Sequence, residues 1–341
     1  MKKKKFTIGL AVIAVLLLLG YWRYDHYIKT PVDPTDSTII SFQIKKGQTA
    51  KEIGKMLKEN ILIKSSLSFS LYSRLHDLDG NIVYGRFALN KTMTIPQIIE
   101  TISDPSMAEA VLTIQEGITI KDIEEKLADL GLINKDDLKS AVKEFSGWEY
   151  YTTFLNQDDL KNLDLPLEGY IYPDTYFLDS ESFQPHDIVY LALDNFEKKW
   201  LEIGATPQNS KLSTYSIHEI ITMASVIENE VFGKENREIV SGILWKRLEN
   251  NWPLGADATL LYITEDRIIT AEDLETDSPY NTRKFQGLPP GPIGNPSKES
   301  IEAALFPKES DYWFYLTTKD TGEIIYSKTN EEHNSNREKY L

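Results

Sequence analysis

Hydrophobic positions along the chain fall into three patterns: one unbroken run, a few short alternating stretches, and a series of stripes at three- and four-residue spacing. The unbroken run is FTIGLAVIAVLLLLGYW, Phe6 to Trp22, preceded by Lys2 to Lys5 and ended by Arg23. At ~1.5 Å per residue a helix through it reaches about 25 Å, slightly less than a ~30 Å hydrocarbon layer. Tyr21, Trp22 and Tyr24 are placed to sit at the headgroup level and make up the difference. The following YWRYDHYIK lacks a small-x-small cleavage pattern, so the run predicts an uncleaved transmembrane signal-anchor over 6–24. The lysines before it predict a cytoplasmic tail, 1–5, with everything after the span outside the cytoplasmic membrane. Residues 25–38, ending in KTPVDPTDST, carry no apolar period and predict a linker.

A small module is predicted over 39–108. Ile39 to Ile44 alternates as a strand, KKGQT makes a turn, and Ala50 to Glu59 carries a helical stripe of Ile53, Met56 and Leu57. A second helix is predicted over Ser66–Leu75, a strand through NIVYGRFAL, and a helix over Thr94–Ile102. The strand, KKGQT, helix entry resembles the start of a LysM-type fold, a class that binds glycan; a plain spacer module is the alternative. From 109 to 341 the pattern predicts a larger domain. VLTIQEGIT reads as a strand, and helices are expected over Ile120–Leu130, Lys135–Glu144, Asp187–Ile203 and Asn236–Glu249. DYWFYLTT and EIIYSKT read as late strands. Helices and strands are interspersed without a βαβ rhythm, so the fold class is α+β.

The strongest single signal is SIHEIITMASVIENE, Ser216 to Glu230. Ser216 with Glu219 three residues on is a capping box that opens a helix. Ile217, Ile220, Ile221, Ala224, Ile227 and Val231 then draw one apolar stripe. At about 100° per residue Glu228 falls inside that stripe, and Glu230 is turned away from it. A carboxylate on a core-facing stripe loses hydration, which favours its protonated form and suits a general acid near neutral pH.

The net charge of −15 argues against nucleic-acid binding, which wants a basic face. The absence of cysteine excludes disulfides, thiolate metal sites and a cysteine nucleophile. With five histidines and no HExxH pair, a histidine-based metal site has no sequence support. GxSxG, SxxK and Gly-rich phosphate cradles are missing as well.

Four stretches hold more polar and aromatic residues than packing needs. In the first, Glu168 to Tyr176, two carboxylates (Glu168, Asp174) and three tyrosines (Tyr170, Tyr172, Tyr176) alternate along a predicted extended strand. Aromatic faces beside hydrogen-bonding groups suit a sugar ring; a well-packed strand is the alternative. The second is the helix with Glu228. The third, PLGADATLLY, sets Asp257 and Thr259 in a turn entering a helix, where simple capping is the alternative. The fourth, Ser278 to Ser297, is a stiff Pro/Gly loop carrying Tyr280, Asn281 and Thr282. The chemistry left standing is carboxylate acid/base work on a glycoside.

These stretches, as LEGYIYPDTY, MASVIENE, GILWKRLENNWPLGADATLLY, SPYNTRKFQGLPPGPIGNPSKESIEAALFP and EEHN, follow one another behind a single N-terminal anchor. The ordered set, over most of 110–334, resembles the MltG/YceG family of endolytic murein transglycosylases. The resemblance implies that Glu228 is the catalytic glutamate and Glu230 the second acidic position of an A-S-[IV]-[IV]-E-x-E pattern. It also implies a glycan cleft drawing on Glu168, Tyr172, Asp174, Tyr176, Glu230, Asp257, Thr259, Tyr280, Asn281 and Thr282. The family reads T/S-D-P-T where this chain has Ala256-Asp257-Ala258-Thr259. Implied too are peptidoglycan glycan strands as substrate, no metal or cofactor, action as a terminase on nascent strands, and proximity to penicillin-binding synthases. A hydrolytic muramidase and a non-catalytic glycan-binding scaffold are the alternatives.

Overall fold

The computed structural model describes residues 2–45, 47–76, 80–180, 182–264 and 269–341, with side chains from Val15 onward. The chain divides into two compact units, one of residues 1–111 with 177–183 and one of 112–176 with 184–341.

The first unit opens with α1 (Lys2–Lys29), whose last turns bring Tyr24 and Ile28 into a core. Side chains of Phe6 to Ala14, within the expected span, lie outside the described residues. Among those described, no helix is long and apolar enough to cross a membrane. The linker is pinned: Asp33 N–H donates to the Lys91 carbonyl at 3.1 Å, and Lys91 pairs with Asp36 at 2.7 Å. Next come β1 (Ile40–Ile44), α2 (Ala50–Glu59), α3 (Ser66–Leu75), β2 (Gly85–Leu89) and α4 (Ile95–Ser103). The turn expected at KKGQT includes Lys46, which lies outside the described residues. β1 and β2 pair antiparallel with Ile40 opposite Leu89, Phe42 opposite Phe87 and Ile44 opposite Gly85. With a period of two, one face of this ribbon delivers Phe42, Ile44, Phe87 and Leu89 to Ile53, Leu57 and Phe69 of the helices.

The chain then runs through β3 (Ala110–Thr113), α5 (Ile120–Asp129), α6 (Asp137–Lys143), α7 (Gln157–Leu160), β4 (Thr175–Leu178) and α8 (Pro185–Ile203), the four helices belonging to the larger unit. It continues with α9 (Ile217–Glu230), α10 (Lys234–Glu249), α11 (Asp257–Thr264), α12 (Ala271–Leu274) and α13 (Lys298–Leu305). The hairpin of β5 (Phe314–Thr317) and β6 (Ile324–Ser327) and then α14 (Asn330–Tyr340) close the chain. The whole is α+β, largely helical, with two-stranded sheets only among the described residues.

The capping box at Ser216 is present, with Ser216 Oγ accepting from Glu219 N–H at 3.2 Å and Glu219 accepting from Ser216 N–H at 2.8 Å. The single stripe expected on α9 is not what burial shows: Ile220 through Glu228 is buried without a break. α9 is wrapped by α10, α11 and α13, so every face meets protein and the sequence period understates its burial. The Pro/Gly loop lies against it, tied by Ile293 N–H to Ser225 Oγ at 3.0 Å and by His218 Nε2 to the Pro290 carbonyl at 2.9 Å.

The extended strand expected over Glu168 to Tyr176 is also different. Glu168 to Tyr170 is a turn, and only Thr175 onward is strand. Gly169 sits at φ +87°, and a Cβ there would lie 2.5 Å from Pro292 Cβ, so only glycine fits between this turn and the loop. A turn has no two-residue alternation, which is why Pro166 through Tyr172 is buried without a break.

Candidate active site

α9 carries both candidate acids near its C-terminus, and the fold treats them differently. Glu228 is 6% exposed, with both oxygens engaged. Oε1 accepts from Arg237 Nη2 at 2.6 Å, and Oε2 accepts from Ser297 N–H at 2.8 Å and from Ser297 Oγ. Arg237 stands on α10 because Val231 ends α9 in an extended conformation and Gly233 at φ +85° turns the chain back. Its other nitrogen, Nη1, donates to Glu299 at 2.7 Å, and Glu116 lies 4.0 Å from Nη2. Burial, then the Glu228 charge, pushes the Glu116 carboxyl up. Glu228 is thus buried, as its place on the stripe predicts, but with a cation beside it and not among apolar side chains alone. Glu228 is held by a guanidinium and a helix N-cap, the donor set of a structural carboxylate.

Glu230, expected to point away, faces a cavity of about 520 Å³. Walls from α10, the α11 turn, the Ser278 to Ser297 loop, β5 and α14 contribute Arg247, Asp257, Arg283, Tyr315, His333 and Arg337. Glu230 accepts from Tyr315 Oη at 2.8 Å and from Ala258 N–H at 3.2 Å. Burial pushes its carboxyl up, and the two hydrogen bonds oppose the shift without cancelling it. The Ala258 bond needs a residue other than proline at that position, since proline has no N–H to give. Burial also pushes the Tyr315 phenol well up, so it remains a neutral donor. Arg247 is held in the wall by the carbonyls of Leu254 (2.6 Å) and Trp313 (2.9 and 2.6 Å), leaving its charge to act on the cavity. A larger depression of about 810 Å³, lined by Trp148, Glu149 and Thr152, offers no comparable convergence of charged groups.

Of the other residues singled out by sequence, Asp257 lines the cavity, exposed and paired with Arg283 Nε at 2.6 Å. Thr259, Asn281 and Thr282, expected at the glycan cleft, are buried at 0%, 0% and 1%. They are fasteners. Thr282 accepts from Ala256 N–H at 3.1 Å and its carbonyl from Gly255 N–H at 3.0 Å, while Thr259 Oγ1 donates to the Ala256 carbonyl at 2.8 Å. Asn281 Nδ2 donates to the carbonyls of Leu274 and Thr276, both at 3.0 Å. Together they lock the Asp257 turn to the Arg283 loop. Tyr280 is half-buried, its ring 5.1 Å from Tyr262, and burial pushes its phenol to about 12.

None of Glu168, Tyr172, Asp174 and Tyr176 lines the Glu230 cavity. Glu168, 3% exposed, accepts from Ile120 N–H at 3.1 Å and Asn295 Nδ2 at 3.4 Å, and burial pushes it up to about 8. Tyr176 Oη donates to the Tyr172 carbonyl at 2.6 Å, and both tyrosines are 7% exposed. Asp174 is exposed and accepts from Asn195 Nδ2 at 2.8 Å. Sequence reasoning missed Tyr315, Arg247 and Arg283; DYWFYLTT and GILWKRL carried no signal that they converge on Glu230. Among the described residues no group of three or more His, Asp or Glu could hold a metal ion.

The model of the YceG-like family matches residues 42–339. An endolytic murein transglycosylase of Bacillus subtilis (strain 168) is 33% identical over 336 residues, covering 96% of this chain and 91% of that protein. A protein of the same name from Streptococcus pneumoniae serotype 2 (strain D39) is 27% identical, over 98% of this chain and 64% of that protein. The crystal structure of a putative yceG-like protein, lmo1499, from Listeria monocytogenes superposes with a TM-score of 0.62 at 30% identity. That match covers 87% of this chain and 99% of the other.

Proposed function

The chain belongs to the YceG-like family, and from that premise we propose that it is an endolytic lytic transglycosylase of peptidoglycan with Glu230 as its acid and base. The observation that carries the choice of residue is the contrast on α9. Glu230 meets an open cavity with its carboxyl pushed up, and Glu228 is closed in an ion pair. In the first step Glu230 gives its proton to the glycosidic oxygen between N-acetylmuramic acid and N-acetylglucosamine, and the C1–O bond breaks. The ionised carboxylate then takes the proton of the muramyl 6-hydroxyl while O6 bonds to C1, closing a 1,6-anhydro ring. No water enters, and Glu230 ends protonated as it began. Because the nucleophile belongs to the substrate, proximity does the work of a second carboxylate. Arg247 and Arg283 supply positive potential beside the carboxylate that forms midway.

The cellular setting we propose rests on the sequence. The Phe6 to Trp22 run anchors the protein in the cytoplasmic membrane as a single-pass span, with the catalytic unit outside, beside penicillin-binding synthases, where it ends the growth of nascent strands. Protease accessibility in intact spheroplasts tests this; protection of the catalytic unit defeats it.

Asp257 in the same cavity gives a hydrolytic muramidase its one structural argument, and the products separate the two by one water. Sacculi digested with wild type, Glu230→Gln and Glu228→Gln, followed by mass spectrometry, test the proposal. Anhydro ends are expected from wild type, a loss of ~10²–10⁴-fold in Glu230→Gln, and retained product from the folded fraction of Glu228→Gln. Full yield from Glu230→Gln, or a folded Glu228→Gln without product, assigns the acid elsewhere.

A further inference from the structure

We infer that Trp252 and Trp313 form an outer sugar subsite that carries the glycan strand out of the Glu230 cavity, an inference that rests on the function proposed above. Phe314 lines that cavity. On one side it stacks on His333 at 5.1 Å; on the other it lies 6.2 Å from Trp252, which is 4.7 Å from Trp313. Lys246 Nζ sits 4.8 Å over the Trp313 ring. The two tryptophan rings are tilted 41° to each other, and Trp252 is 44% exposed.

The backbone presents that ring deliberately. Asn251 adopts φ +56°, a left-handed conformation that asparagine tolerates better than most residues and that carries local strain. Trp252 N–H then returns to the Arg247 carbonyl at 2.8 Å, and Pro253 restricts Trp252 to extended geometry. The large aromatic is therefore fixed at the surface at the end of α10, where a purely structural tryptophan gains little. An exposed apolar ring suits the C–H face of a pyranose, and the contact with Phe314 of the cavity wall makes the occupant the same strand. An enzyme that cuts inside a strand must hold sugars beyond the cleaved bond, and this row supplies such a hold on one side.

The test uses the full chain in detergent micelles and uncleaved β-1,4 N-acetylglucosamine oligomers, a trimer and a hexamer, followed by tryptophan fluorescence and calorimetry. Wild type is expected to bind the hexamer more tightly than the trimer. Trp252→Ala is expected to weaken hexamer binding about tenfold, the equivalent of one stacked ring, while trimer binding holds, and Trp252→Tyr recovers most of the loss. On strands graded by length, the rise of kcat/KM with length flattens in Trp252→Ala. Equal loss for both oligomers, or none, overturns the inference. So does an alanine variant that instead loses self-association or micelle partition, since the occupant is then a second copy or a lipid surface. Because binding is read without cleavage, a wild type that binds by length but yields no anhydro product defeats the proposed function alone.

Discussion

Removing Arg237 tests the division of labour between the two glutamates. Arg237→Met keeps an unbranched apolar chain at 6% exposure but leaves Glu228 buried without its countercharge. Breaking a buried pair from one side costs ~3–5 kcal/mol, because the surviving charge keeps its desolvation penalty. Two bonds from Ser297 remain on the other oxygen, which favours the lower half of that range. For a unit of this size that corresponds to a fall in Tm of roughly 6–12 °C. Glu228→Leu alone strands the guanidinium in turn, with Glu299 at 2.7 Å and Glu116 at 4.0 Å as its remaining partners. Replacing both should recover part of the loss, since apolar substitutes for a buried pair are often neutral or better. The assay is urea unfolding of the four proteins, followed by the fluorescence of buried Trp245 on α10. A coupling of ~2–4 kcal/mol is expected. Single-variant costs that add within ~0.5 kcal/mol would refute a structural pair, and anhydro-product yield tracking pair integrity in fully folded variants would return Glu228 to the chemistry.

Two further outcomes follow from the buried carboxyls. Glu168 is pushed from 4.5 to about 8, so between those values the unfolded chain has released a proton that the folded chain still holds. Its contribution is fully present below the unfolded value and is lost as pH rises through the folded one, with a slope of at most ~1.4 kcal/mol per pH unit. Urea midpoints from about pH 5 to about pH 9 should fall less steeply in Glu168→Gln than in wild type; parallel curves would show that the carboxyl does not titrate this way. Tyr315→Phe and Ala258→Pro each remove one donor that holds the Glu230 carboxyl down. Proline is tolerated in the first turn of α11, so the second change deletes an N–H with little else. In both, the alkaline limb of kcat/KM should move to higher pH; a limb that stays in place removes Glu230 as the titrating acid.

Local signals announced most of the elements. The capping box at Ser216, the stripe at Ile53, Met56 and Leu57, and the alternation before Ile44 each act within a few residues, and the structure has a helix or strand at every one. Motif order was enough to identify the family, since it lies in the chain itself. Inward orientation was legible for Glu228 because a helix turns at a constant angle. The partner waiting there was not, because Arg237 depends on how Gly233 folds α10 back. Likewise the strand expected at Glu168 to Tyr176 is a turn, because Gly169 must clear Pro292, a contact made across more than a hundred residues. The cavity is the extreme case. α9, α10, the Asp257 turn, β5 and α14 each bring side chains that mean little alone, and only their packing dries Glu230 while leaving it a way out. Sequence thus determined which groups were available and which family they serve. The three-dimensional contacts decided which carboxyl is neutralised by a cation and which is left free to trade a proton, because desolvation and charge act through space and not along the chain.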